Sequence, residues 1–526
     1  MNKTITLTLF ATLTLVLTGS SSASKQDTDM LDMDTGKYEY SDFNAMEATD
    51  GPVTSITSKK EEKPSDVSTI NPDDPKSFEK GYNLFEQKKY KKALPHLHHY
   101  LSQNSPDDID YEWAEFFFGI SLMRCGFTHA AVDILSHLVT RKPNQKIVSY
   151  CLDLFEKITR TVPFDRELIV HKVICDQEYG FVEKEIADFI NYYQGTFDWE
   201  HGFFSWGNSH FNKITPKTYY YYKYLYQKAL FRVYENRIDD ATVLLKEIIE
   251  TEALADDFKD EVRRTLARLF YEKGQFKESI EAYQHIKKPI LKQAGNLLER
   301  AWSQYRIGNP EKAMGLLYAF EAPGFKDYFT PEYYLLKSFI YKDVCHYQKV
   351  LKMVDEFRSR YKNSLENIYN RGKAKDDPAL LLVLLKKNQI DETWRFLNLL
   401  KYERTRCSEI QDKPFRDYME KIYDLQVEES INYFRRLVRE EYEKIANELL
   451  KYEEEAYLME YEIGLDMSQR VYQYRYGMDN KNDQKRSERI IAYPFQGEFW
   501  NDELSDYKVT LRNKCECMEE WDIFFK

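Results

Sequence analysis

Leu266-Ala267-Arg268-Leu269-Phe270, followed by Gly274-Gln275-Phe276, Ser279 and Tyr283, aligns without a gap on Arg300-Ala301-Trp302-Ser303, followed by Gly308-Asn309-Pro310, Ala313 and Leu317. In each window a small residue (Ala267, Ala301) precedes a second small residue (Ser279, Ala313) by 12 positions, and the two second residues are 34 apart. Two antiparallel helices approach closely only where their side chains are small, and a Gly between them supplies a permissive turn. A period in this range marks a solenoid of helical hairpins, none of which can bury its apolar face without a neighbour.

The same frame extends outward. Gly81, Leu84, Tyr90, Ala93, Leu97 and Pro106 form one copy, and Gly119, Leu122, Gly126, Ala131, Leu135 and Pro143 another, with Pro ending the second helix. Ala229, Ile238, Ala241 and Leu245 form a third, and Ser338, Tyr341, Tyr347, Val350 and Val354 the last. The anchors of the second helices are Ala93, Ala131, Ala241, Ser279, Ala313 and Val350, so several steps are 37 or 38 rather than 34 residues.

These residues resemble the tetratricopeptide-repeat (TPR) family, in which Leu-Gly, Tyr, Gly-x-Tyr, Ala, an aromatic residue and Pro recur at these offsets. The resemblance covers residues 75–361. It implies an all-α, right-handed superhelical solenoid that binds peptides or helices on its concave side; a fold by itself names no partner. In the family the concave side is lined by first-helix positions three before, one after and four after the first small residue. Transferred here, the resemblance implies a groove including Phe116, Arg264, Arg268, Tyr271, Trp302, Tyr305 and Phe339, with Arg264 and Arg268 one turn apart and able to fork an acidic residue.

Composition fits this reading. The 41 Tyr and 32 Phe suit helix pairs stacked on large side chains, and the scarcity of turn residues, 19 Gly and 16 Pro, argues against an all-β fold. With 87 acidic against 75 basic residues the net charge is -12, and no strongly basic block offers a phosphate-binding surface, which disfavours nucleic acid as a partner. The seven Cys are dispersed and odd in number, unlike a disulfide-built scaffold. Cys515 and Cys517 form a C-x-C that can cross-link in an oxidising compartment, and without a second Cys or His pair nearby no metal is expected.

Residues 1–23 read as a secretory signal: Lys3, then an apolar stretch from Ile5 to Leu17, then Ser21-Ser22-Ala23 at the cleavage positions. The apolar run is shorter than the ~20 residues a membrane span needs, and no later stretch is a span candidate. Leu17-Thr18-Gly19 is similar to the bacterial lipoprotein signal, but Ser20 stands where that signal requires a Cys and cannot take the lipid by thioether chemistry. A periplasmic or exported protein follows, membrane-associated through a partner, and a lipid-anchored form remains the alternative where a Cys stands at position 20.

Residues 24–74, polar and aperiodic, read as a disordered linker. Residues 147–225 leave room for two further hairpins, with an aromatic insertion loop near 194–218 where Gly195, Gly202 and Gly207 interrupt a helical pattern. Its aromatics either form a contact surface or fold back on the solenoid. His201 and His210 there lack the spacing of a metal site. Residues 362–416 read as helices that close the solenoid's open end, and residues 417–476 as a long amphipathic helix or helical hairpin with coiled-coil character, since Ile431, Val438, Ile445 and Tyr452 recur every seven residues. This segment can pair with another chain as a homo-oligomer or lie along the solenoid. Residues 477–526 form an aromatic tail, whose stretch Tyr493-Pro494-Phe495-Gln496-Gly497-Glu498-Phe499-Trp500 faintly resembles the ends of repeat proteins of envelope and gliding-motility machinery.

The functional expectation is a non-catalytic protein–protein interaction scaffold of the bacterial cell envelope, with other envelope proteins as partners and no cofactor. The rival reading is a cell-wall enzyme of lytic-transglycosylase type carried on a helical superhelix. It needs a catalytic Glu in a Glu-Ser and Gly-Leu-Met-Gln context, which Glu462-Ile463-Gly464-Leu465-Asp466-Met467 lacks, and no Gly-rich phosphate loop, H-E-x-x-H or G-x-S-x-G occurs. An oligomerising structural subunit is compatible with the first reading.

Overall fold

A computed structural model describes residues 78–175, 178–252, 254–287, 294–322, 325, 328–475 and 507–515. The signal and linker readings, the aromatic stretch at 493–504 and Cys517 lie outside the described residues. The fold is an all-α solenoid of consecutive helical hairpins. The helices are α1 (Glu79–Glu86), α2 (Tyr90–Gln103), α3 (Tyr111–Arg124), α4 (Thr128–Thr140), α5 (Gln145–Thr161), α6 (Lys184–Glu200), α7 (Phe204–Phe211), α8 (Tyr219–Tyr234) and α9 (Ile238–Glu250). There follow α10 (Asp256–Glu272), α11 (Phe276–Gln284), α12 (Ala294–Arg306), α13 (Pro310–Tyr318), α14 (Pro331–Asp343), α15 (Tyr347–Tyr369), α16 (Pro378–Leu384), α17 (Asn388–Arg406) and α18 (Lys413–Arg475).

One turn recurs at seven places. The residue five before each anchor has a positive φ: Gly126, Gly202, Gly274 and Gly308, but also Lys88 (57°), Asn236 (61°) and Cys345 (57°). The next backbone N–H reaches back six residues' span to the first helix, as in Gln275→Phe270 O (2.8 Å), Phe203→Asp198 O (2.8 Å) and His346→Tyr341 O (2.8 Å). This is the 6→1 bond of a Schellman motif, which satisfies a carbonyl that the helix end would leave orphaned. The anchors behind these turns are fully buried: Ala93, Ala131, Ala241, Ser279, Ala313 and Val350 are each 0 % exposed.

Gly195 and Gly207 belong to the same series, and here the expected insertion loop is corrected. The stretch is helical, α6 and α7 joined at Gly202, with the 12-residue spacing of the other hairpins. A Cβ on Gly195 would lie 2.7 Å from the Phe211 ring, and one on Gly207 would overlap Trp199 and come 2.8 Å from the Gly195 carbonyl oxygen. The glycines let two helices cross; they do not break them. Between Ala131 and Gly207 stands α5 followed by a π-helical stretch, Glu167–Cys175, whose Leu168, Ile169, Val170, Val173 and Ile174 are buried against α4 and α6.

The chain divides into two compact units. Among the described residues the first takes 78–224 and Lys387–Leu437, the second Leu225–Lys386 and those from Val438 on. In the first, α17 packs over the α3–α4 turn. Glu403 is fully buried and its carboxylate accepts from the backbone N–H of Thr128 (2.9 Å) and His129 (3.1 Å) and from Tyr423 OH (2.7 Å), while Arg406 donates to the carbonyls of Cys125 (3.0 Å) and Gly126 (3.2 Å). An acid thus covers a helix N-terminus and a guanidinium a helix C-terminus, each matching the helix dipole. This corrects the expectation that α17 closes the solenoid's end: its polar side chains are complementary to an early turn.

In the second unit α14, α15 and the part of α18 beyond Leu437 pack together. Met459 and Ile463 sit against Tyr347, Val350 and Cys345. Residues 507–515 run as an extended strap along α13 and the start of α15: Val509 N–H donates to Glu311 O (3.2 Å), Lys514 N–H to Val344 O (3.0 Å), and Cys515 is disulfide-bonded to Cys345. The dispersed cysteines therefore do include a cross-link, across a sequence separation of 170. α18 is one uninterrupted helix, not a hairpin, and Val438, Tyr442, Ile445, Leu449, Tyr452 and Ala456 on its heptad face are buried within its own chain.

Candidate peptide or helix groove

Six of the seven expected groove residues lie on successive first helices of the second unit: Arg264, Arg268 and Tyr271 on α10, Trp302 and Tyr305 on α12, and Phe339 on α14. Phe116 does not join them. It is only 6 % exposed in the first unit, ringed by Trp113, Phe117 and Tyr150 at 5.6–6.0 Å, and is a core residue. The offset was right for a first helix, but α3 carries three consecutive Phe and buries them all.

The structure brings Trp302 together with Tyr305 and Phe339, each ring pair at 6.0 Å. Tyr305 donates to Asp343 (2.6 Å), and burial with that carboxylate pushes its hydroxyl pKa up. Tyr271 meets Phe276 edge-on (5.1 Å), and burial raises its pKa to about 12. Arg268 is not the free clamp that the sequence suggests. Its guanidinium forks Glu299 of the next repeat at 2.7 and 3.1 Å, and Tyr283 OH donates to the same carboxylate. The forked acid is thus the chain's own. The Nε of Arg264 is buried without a hydrogen-bond partner, and so is that of Arg300.

Lys342, four after Ser338 in the transferred lining, and two residues missed by the sequence reading, Glu332 and Arg358, complete the site. Glu332, at the start of α14, is pushed up to about 7, first by burial and then by the like charges of Glu299, Glu448 and Glu455, although Trp302 beside it works the other way. Lys342 pairs with Glu462, and Arg358 forks Glu460 at 2.7 and 2.9 Å. Phe339 and Tyr341 pack against the Met459–Ile463 cluster of α18. No sequence signal marks these pairs, because each joins positions more than 100 residues apart. Chemically the row offers ring faces, guanidinium donors and a buried carboxyl. Among the described residues no group of three His, Cys, Asp or Glu is placed to hold a metal ion, and no helix is long and apolar enough to cross a membrane.

No family model and no curated protein matches this chain. Among solved structures it is similar to the C-terminal part of a TPR repeat-containing protein from Cytophaga hutchinsonii, at 13% identity over 60% of this chain and 99% of that one, with a TM-score of 0.22. A likeness at that level adds no argument; the class, an all-α helical-hairpin solenoid, rests on the seven turns and their buried anchors.

Proposed function

We propose that the chain is a non-catalytic interaction scaffold that binds a helix or peptide of another protein along the first helices α10, α12 and α14. The observation that carries this reading is the row itself: Arg264, Tyr271, Trp302, Tyr305 and Phe339 recur in phase on consecutive hairpins, are half-buried where core residues would be fully buried, and include a guanidinium Nε with no internal partner. Aromatic and Arg side chains in such settings are the usual anchors of protein interfaces. The sequence signal at residues 1–23 and the Cys345–Cys515 disulfide, which persists in oxidising compartments, both support an exported protein.

The test is cross-linking in envelope preparations followed by mass spectrometry, comparing the wild-type chain with an Arg264→Glu, Trp302→Ala variant. Arg268 is left intact, because its loss would strand Glu299. Loss of a reproducible cross-linked partner with unchanged helical circular dichroism supports the reading, and undiminished cross-linking removes the row from consideration.

A further inference from the structure

The part of α18 beyond Leu437 has features that a permanently packed helix does not need. Its inner face is apolar and buried, with Tyr452, Ala456, Met459 and Ile463 all at most 6 % exposed. Its outer face is apolar too: Tyr457 (63 %), Leu458 (50 %), Tyr461 (60 %) and Leu465 (53 %) are left in water. Gly464 lies inside the helix, three turns before its end, where Gly is the poorest former after Pro, yet its φ is not positive and a Cβ there would meet nothing within 4 Å. Neither space nor backbone demands it. At Glu332 the docked helix brings the acids Glu448 and Glu455 toward an acid. Local choices that disagree with the packing around them gather at sites with a second task.

The contacts that do hold this helix are specific. Lys342 and Arg358 pair with Glu462 and Glu460, and Phe339 and Tyr341 meet the cluster of Met459 and Ile463. This is how an amphipathic helix is read in a groove, through apolar anchors at i and i+4 with charges beside them.

We infer that α14 and α15 form a docking surface for an acidic amphipathic helix of a partner protein, and that the 448–467 part of α18 is the resident occupant which that helix displaces. The inference rests on the scaffold reading and adds the chemistry of the partner: acidic residues set to meet Lys342 and Arg358, and two apolar residues one turn apart set against Phe339. Charge complementarity fixes this choice, since a basic helix would meet Lys342 and Arg358 as like charges.

The test uses the full chain carrying Glu460→Arg and Glu462→Lys, which repels its own helix, and a fluorescent peptide of residues 448–467 as probe. Fluorescence anisotropy should show the peptide binding the variant at least about tenfold more tightly than the wild type, and a peptide carrying the same two charge reversals should not bind. A variant Gly464→Pro, which breaks α18 without touching the surface, should also gain peptide binding. Retained helical circular dichroism and an intact Cys345–Cys515 bond, read by mass spectrometry, show that the solenoid is folded. No peptide binding to either folded variant overturns the inference. Loss of solenoid structure in both also overturns it, because α18 would then be an integral part of the fold. A concentration-dependent dimer in place of peptide binding overturns it in favour of a second copy of the chain. Failure here leaves the envelope cross-linking through Arg264 and Trp302 untouched, so the two readings fail separately.

Discussion

Gly207→Ala and Gly464→Ala are the same chemical change in two helices, and the structure gives them opposite signs. Replacing Gly by Ala in a helix interior gains about 1 kcal/mol from propensity alone. At Gly464 nothing lies within 4 Å of the new methyl, so the gain should survive whole. At Gly207 the methyl would overlap the Trp199 ring and stand 2.8 Å from the Gly195 carbonyl oxygen. Trp199 has little freedom, since its ring also packs edge-on against Phe211 at 4.8 Å. The carbonyl is backbone and moves only if α6 and α7 separate. Overpacking of this kind costs about 1–3 kcal/mol, and a backbone obstacle puts the cost toward the upper end. The net effect at Gly207 is a loss of about 1–2 kcal/mol, so the two variants should differ by about 2–3 kcal/mol.

For domains of this size each kcal/mol moves Tm by about 2–4 °C. Thermal unfolding followed by circular dichroism should therefore show Gly207→Ala melting a few degrees below the wild type. Hydrogen exchange resolved by peptide assigns each change to its own unit: faster exchange in α6 and α7 for Gly207→Ala, slower exchange in α18 for Gly464→Ala. A Gly207→Ala protein as stable as the wild type, or more so, would show that α6 and α7 do not cross there, and the reading of 184–211 as a hairpin of the series would fall with it.

Three further outcomes are expected. Ala313→Leu, at a fully buried anchor packed among Leu297, Ala301 and Leu336, should cost about 1–3 kcal/mol, and an unchanged Tm would place Ala313 outside the core. Glu403 is pushed up to about 7, by burial above all and against the hydrogen bonds from Tyr423, His129 and Thr128; its folded pKa exceeds the unfolded one, so its contribution is full below pH ~4.5 and is lost as pH rises through 7. The melting temperature of the first unit should fall between pH 5 and 8, and Glu403→Gln should flatten that slope; a variant with the wild-type slope would assign the dependence to another group. Reduction of Cys345–Cys515 should cost the second unit about 2–5 kcal/mol by freeing a long loop, and Cys515→Ser should abolish the response to reductant; a melt indifferent to reductant would refute the strap as a stabilising element.

What the sequence made legible is the part of the fold that each repeat encodes locally. A small residue, a turn and a second small residue 12 positions on is visible wherever the turn is a Gly, as at Gly274 and Gly308. It is harder to see where Lys88, Asn236 or Cys345 takes the positive φ, because the Schellman bonds and the packed helices impose a conformation that the side chain does not advertise. At 194–207 the signal was present and misread: three Gly in one stretch suggested a broken helix, although two of them are 12 apart and the third stands five before the second, as in every other copy. The spacing, not the abundance of Gly, carries the information.

The candidate site was legible only to the extent that repeats are alike. The offsets that place Trp302, Tyr305 and Phe339 together are properties of a single hairpin and carry over from one copy to the next. Whether such a position is open depends on what the neighbouring copy, or a distant helix, puts against it. Arg268 and Arg264 are one turn apart on one helix and look equivalent in sequence, yet Glu299 is placed to fork the first, and the Nε of the second has no partner. Phe116 has the same offset as Arg264 and is core, since Trp113 and Tyr150 close over it. A repeat pattern therefore specifies a row of places where a ligand could be met. The residues that differ between copies decide which places are already taken, and in this chain an acidic helix of its own fills the row at Lys342, with Arg358 of α15 holding the same helix.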